Sequence, residues 1–164
     1  MMTIILEEGY QTYLGKLLPS LRQQVENLTW VITGLECWGK FSPLIETWQS
    51  QSYNSEPYYS VVAGKTFYET FVGQNLQVVW GIFCGIAGNV PAIPFEEVPY
   101  ADGNRRIWTE PEEFQLAASE IEIIAFDSTF TLLKVRDERL GRQFLEVFSK
   151  GRIVQSPDDM LKSY

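Results

Sequence analysis

The densest apolar pattern in the chain runs through residues 120–148, EIEIIAFDSTFTLLKVRDERLGRQFLEVF. Two strand-like runs flank Asp127-Ser128, which predicts a strand, a tight turn and a second strand. Both runs are apolar on both faces over much of their length, which predicts burial under helices. Beyond them Leu140, Phe144, Leu145 and Phe148 recur at helical spacing, and Asp137 is placed to cap that helix.

Earlier in the chain, residues 28–37 are rich in Trp, Val, Ile and Thr and predict a strand. Residues 58–63 and 75–86 predict two more. The second of these carries the longest apolar run, VVWGIFCGIAG, which is too short to span a bilayer. Between them, residues 65–72 predict a short helix burying Phe67, Phe71 and Val72, with Gly73 as its stop. Near the start, Ile4 to Leu6 form a short strand or the entry to a helix. Tyr10, Leu14, Leu17 and Leu18 then make one apolar face of a helix over 7–18. Pro19 interrupts or ends it, and SLRQQVEN adds a further turn.

Two long stretches lack such periodicity. Residues 38–57 mix Trp, Tyr and Phe with Ser, Gln and Asn and read as the most loop-like part. Residues 87–108 hold three prolines and two glycines and predict an irregular surface connection. Thr109-Glu110-Pro111-Glu112 then matches a capping box, which predicts a helix from Thr109 to about Ala118.

These elements predict a single α+β domain over residues 1–150, followed by a polar tail, 151–164, that frays. The expected architecture is a mostly antiparallel sheet of five or six strands with helices packed on it. The alternative is a sheet sandwiched between two helical layers. A chain of 164 residues suits one domain and can bury roughly 70% of its unfolded surface.

Charge changes the picture by exclusion. The formal net charge is −8 and the sequence pI is about 4.6. Nucleic acid and anionic membranes need clustered Lys and Arg, so neither is an expected partner. A basic protein partner fits that balance, and so does plain solubility. The chain has no histidine, which excludes Ser-His, Cys-His and His-metal sites within it. Its two cysteines, Cys37 and Cys84, sit in apolar strand surroundings and read as buried reduced thiols. No metal or cofactor motif is present, and Gly81, Gly85 and Gly88 lack both the Walker lysine and the dinucleotide spacing. The N-terminus has no signal-peptide pattern, and the cytoplasm is the expected setting.

Three groups of residues are candidates for function. Trp38, Phe41, Trp48, Tyr53, Tyr58 and Tyr59 combine large rings with adaptable polar neighbours, as binding surfaces do. The alternative is that these rings fold back onto a sheet edge. Glu96, Glu97, Asp102, Glu110, Glu112 and Glu113 would make a negative surface able to steer a basic partner, weakened by Arg105 and Arg106. The alternative is a solvated loop and helix start. Asp127 with Glu120, Glu122 or Asp137 would be needed for carboxylate catalysis or a Mg²⁺ site. An Asp at a tight turn bonds its own backbone, so no catalytic residue is expected there.

Taken in order, the blocks LTWVITGLE, VVAGKTFYETF, LQVVWGIFCGI, TEPEEF and the closing stretch resemble a family of small uncharacterised bacterial cytosolic proteins. The resemblance covers about residues 28–148 and brings no activity with it. In size, acidity and α+β build the chain is also similar to bacterial immunity proteins that neutralise a toxin. The expected function is a non-enzymatic protein-binding module, with an immunity-type inhibitor of a bacterial toxin as its specific form. The alternative is a carboxylate-based enzyme or a binder of a sugar or nucleotide-like ligand. A homodimer formed through a sheet edge or the aromatic segment is a third possibility.

Overall fold

A computed structural model of the chain describes residues 1–9, 12–40 and 42–161. Its centre is one antiparallel sheet, built from strands β1 (Met2–Leu6), β2 (Thr29–Trp38), β3 (Tyr59–Ala63), β4 (Gln77–Ile86), β5 (Ser119–Phe126), β6 (Phe130–Val135) and β7 (Arg152–Val154). The spatial order is β3-β2-β4-β5-β6-β1-β7. The α+β class and antiparallel pairing match expectation. Among the described residues the sheet has seven strands rather than five or six.

The extra strand comes from the segment expected to be a polar tail. Arg152–Val154 pairs with β1 at the sheet edge, and helix α7 (Pro157–Leu161) follows it. Val154 and Met160 are buried. Two apolar side chains in a polar stretch give too weak a periodicity to read, yet they suffice to dock the segment.

The sheet buries both faces, as the unbroken apolar runs require. One face carries helices α1 (Leu14–Leu17), α2 (Arg22–Asn27), α3 (Pro43–Asn54), α4 (Gly64–Val72) and α6 (Glu138–Val147). Trp30 of β2 stacks on Phe67 of α4 with ring centroids 4.5 Å apart, and its indole N–H donates to the Val25 carbonyl. Gly64 lets α4 start against α2, because a Cβ there would collide with the carbonyl oxygens of Val25 and Leu28. The other face is covered by the irregular stretch 87–118, the short helix α5 (Arg106–Thr109) and α7.

Three expectations are corrected. Residues 43–54 are a helix, not loop, with Pro43 in its first turn and the Ser42 hydroxyl accepting from the Ile45 amide. Thr109 ends a helix instead of starting one: its hydroxyl donates to the Arg105 carbonyl, and 110–118 is irregular. Near the N-terminus, 7–9 lies outside any helix, which starts at Leu14; Pro19 sits inside a 3-10 turn, Leu18–Leu21, that links α1 to α2. Tyr10 falls outside the described residues. The hairpin turn is as expected, with Asp127 and Ser128 both left-handed (φ 48° and 56°), and Asp137 caps α6 through the Arg139 amide.

Candidate functional site

Strand register sets a row of polar side chains across the face covered by 87–118. Cys84 of β4 pairs with Glu122 of β5, Glu122 with Lys134 of β6, and Lys134 with Thr3 of β1. All four are buried, and the Glu122 and Lys134 side chains have no exposed surface. The Glu122 carboxylate lies 3.6 Å from the Lys134 ammonium. The Cys84 thiol donates to the same carboxylate at 3.8 Å.

This row holds the irregular segment in place. The Thr3 hydroxyl donates to the Pro111 carbonyl at 2.9 Å, and the Lys134 ammonium donates to the Glu113 carbonyl. The amides of Gln115 and Leu116 donate to Glu122 at 2.8 and 3.1 Å. At the end of the segment the Arg136 guanidinium donates to the carbonyls of Ser119 and Ala117 and lies over the Phe114 ring. A stretch without helix or strand thereby finds partners for its buried backbone groups, which would otherwise oppose burial. Burial pushes the Glu122 carboxyl up and the Lys134 ammonium down, each against the pull of the other. Burial, with Glu122 beside it, also pushes the Cys84 thiol well up.

Above this floor lies an open cleft of about 810 Å³, lined by 91–93, 96–100, 103–106 and 113–118. Glu96 and Glu97 are exposed in its wall, on a 3-10 turn Phe95–Glu97. Glu113 also lines it, but Arg106 bridges Glu113 and Glu110 at 3.4 and 2.8 Å. Beneath it, the Asn104 side chain donates to the Gln115 side-chain oxygen at 2.7 Å and to the Tyr100 carbonyl at 2.8 Å.

The aromatic candidates divide. Trp48 is buried against Phe71 at 6.1 Å between centroids, so it completes the core as the alternative reading held. Tyr59 is half-buried against the apolar cluster of the second face. Trp38 is 68% exposed at the end of β2, and Tyr53 is exposed with its hydroxyl on the Gly34 carbonyl. Phe41 lies outside the described residues. Tyr58 has a left-handed backbone (φ 67°), which an aromatic residue adopts only under constraint. Its ring meets Phe95 edge-on at 5.2 Å.

That contact joins the two predicted regions. Tyr58 from the first and Glu96-Glu97 from the second flank Phe95, which is 71% exposed. Asp102 and Glu112 are exposed but do not line the cleft. Sequence reasoning missed Phe95 and Tyr100, both exposed rings within the proline-rich stretch, as well as Gln115 and the Glu122–Lys134 pair. Among the described residues no group of three or more Cys, Asp or Glu side chains is placed to hold a metal ion, and no helix is long and apolar enough to cross a membrane. Comparison with protein-family models, with curated proteins and with solved structures returns no match.

Proposed function

We propose that this protein is a non-enzymatic protein-binding module, and that its partner is a basic protein met in the bacterial cytoplasm. The observation that carries the reading is the Tyr58–Phe95 contact, which sets the exposed Phe95 ring, backed by the half-buried Tyr58, beside Glu96 and Glu97. Exposed rings supply contact area at low entropic cost, and neighbouring carboxylates steer a basic surface. The net charge of −8 extends that attraction over the whole molecule. The buried polar row pins residues 111–119, part of which lines the neighbouring cleft. An immunity-type inhibitor of a toxin is the specific form we favour, on the likeness in size and acidity to such proteins.

The test is capture of a partner from the native host with the intact chain and with Phe95→Ala. The intact chain is expected to retain one basic protein and to block its toxicity. Phe95→Ala is expected to weaken that retention by roughly tenfold or more. Recovery of no partner, or equal recovery by Phe95→Ala, overturns the reading.

One observation favours a second reading, a binder of a sugar or nucleotide-like ligand. The cleft volume of about 810 Å³ lies in the range that small molecules occupy. Its catalytic form gains little from Glu110 and Glu113, which share the single guanidinium of Arg106. A thermal-shift screen with neutral sugars and nucleosides separates this reading from the first, because a protein-binding module is expected to respond to none of them.

A further inference from the structure

We propose that β3 is the seam of a homodimer: two copies of this chain join edge to edge, β3 against β3, into one continuous sheet, whatever protein Phe95 meets. Three features of the strand converge on a second copy as the occupant.

The first is an open backbone ladder. Strand β3 ends the sheet, with β2 as its one neighbour. Among the described residues, nothing outside the β2 ladder hydrogen-bonds to the backbone of 59–62. Alternate residues of such an edge turn an N–H and a C=O outward at the spacing of a strand. Only another extended segment answers the whole row, as in strand addition.

The second is that this edge is unguarded. Free edges are blunted by charge, by proline, by a bulge or by shortness. Strand β3 reads YSVVA, with neither charge nor proline, and pairs with β2 in unbroken register. The opposite edge of the same sheet is treated differently. There β7 has three residues, opens with Arg152, and is followed closely by α7.

The third is that the strand complements itself. A twofold axis normal to the sheet keeps like faces together and makes an isologous contact. Centred on Val61, it sets that residue against Val61 of the partner subunit. Tyr59 then meets Ala63 of the partner subunit, a large ring against a small side chain, and Ser60 meets Val62 of the partner subunit. Val61 is 53% exposed, and Ala63 is exposed on the same face, so pairing covers an apolar strip. No like charges face each other within the ladder. The exposed residues that bracket the strand are Glu56 before it and Lys65 after it. Antiparallel pairing carries each of them toward its opposite charge in the other copy. A strand from an unrelated protein has no such match built into both ends.

The test is sedimentation of the full chain from low micromolar to submillimolar concentration. Physiological salt is used, so that repulsion between the two acidic copies is screened beyond about 8 Å. The mass is expected to rise from 18.9 kDa toward twice that value. Val61→Lys changes one exposed side chain and sets two ammonium groups face to face on the axis. It is expected to weaken the dimer by at least about tenfold. Oxidative cross-linking then reads the register, since Cys37 and Cys84 are both buried. Val61→Cys is expected to form a disulfide between copies, because directly opposed Cα atoms in antiparallel strands lie about 4.5–5.5 Å apart. Ala63→Cys is expected to stay free, because it faces a tyrosine instead of its own copy. A native chain that remains monomeric throughout, a dimer that Val61→Lys leaves intact, a Val61→Cys protein that does not cross-link, or Ala63→Cys cross-linking as readily as Val61→Cys overturns the inference.

Discussion

Glu122 and Lys134 face each other across neighbouring strands, 3.6 Å apart, with neither side chain reaching solvent. A pair of this kind is a weak source of net stability, because both ions leave water to form it. Breaking it is another matter, since one charge is then left buried alone.

Lys134→Met should therefore cost about 3–5 kcal/mol. It removes the partner of Glu122 and the donor to the Glu113 carbonyl together. Glu122→Leu combined with Lys134→Met should recover only part of that loss, because the Gln115 and Leu116 amides then have no carboxylate. Urea unfolding of both variants checks this. Full recovery in the double variant would show that the segment 111–116 does not depend on Glu122.

The pair also has an unusual pH signature. Burial, the largest cause, raises the Glu122 carboxyl above the ordinary value of 4.5, and Lys134 and the two amides pull it back without overcoming burial. The folded protein then holds that proton more tightly than the unfolded chain does. The group's contribution to stability is full below 4.5 and is lost as the pH rises through the folded value. Glu122→Gln stays neutral throughout, so its deficit against the native protein should be largest in acid and should shrink toward neutrality. Urea midpoints taken between about pH 4 and pH 8 give the sign. A deficit that grows with rising pH would contradict a raised carboxyl.

Gly64→Ala should lower stability by about 1–3 kcal/mol. The new methyl meets backbone oxygens of Val25 and Leu28, which have no flexible side chain to yield. Thermal unfolding measures it, and Gly88→Ala is the control for a glycine with open space but a left-handed backbone (φ 76°). A Gly64→Ala protein as stable as the native one would mean that α2 and α4 can separate freely.

Both thiols should be inert in the folded state. Cys37 is pushed up to about 12 by burial and the nearby Glu36, and Cys84 is driven well up by burial. Iodoacetamide at mildly alkaline pH should label neither until urea unfolds the chain, when both react. Mass spectrometry of the labelled peptides decides it, and fast labelling of Cys84 in native buffer would mean that the cover over the second face opens.

Much of the sheet was legible because β2, β4, β5 and β6 are long and rich in branched and aromatic residues. The Asp127-Ser128 turn and the Asp137 cap announced themselves by residue type. Helix α3 did not. It buries only Ile45, Trp48 and Ser52, so its polar face swamped the signal, although Ser42-Pro43 was a readable start. The capping box at Thr109 was a true pattern with other uses: Glu110 answers Arg106, and the Pro111 carbonyl answers Thr3.

The candidate site was half legible. Tyr58, Glu96 and Glu97 were named from composition, but their union depends on a Phe95 contact that joins stretches 37 residues apart. The Glu122–Lys134 pair was within reach. Once the turn pairs Phe126 with Phe130, antiparallel register carries Glu122 to Lys134. A charge set within each of two largely apolar strands is the signal that such a pair leaves.

The strand order has a consequence for how the chain is made. Strand β1 sits between β6 and β7, so both of its neighbours are synthesised long after it. At ribosomal speeds of about 5–20 residues per second, Ile4 and Ile5 wait on the order of ten seconds for their partners to appear. Strand β1 is thus an orphan throughout that interval. Its two isoleucines are the natural target for a holdase on the nascent chain, and any pause in reading the second half lengthens the interval in which an unpaired strand can find the wrong neighbour.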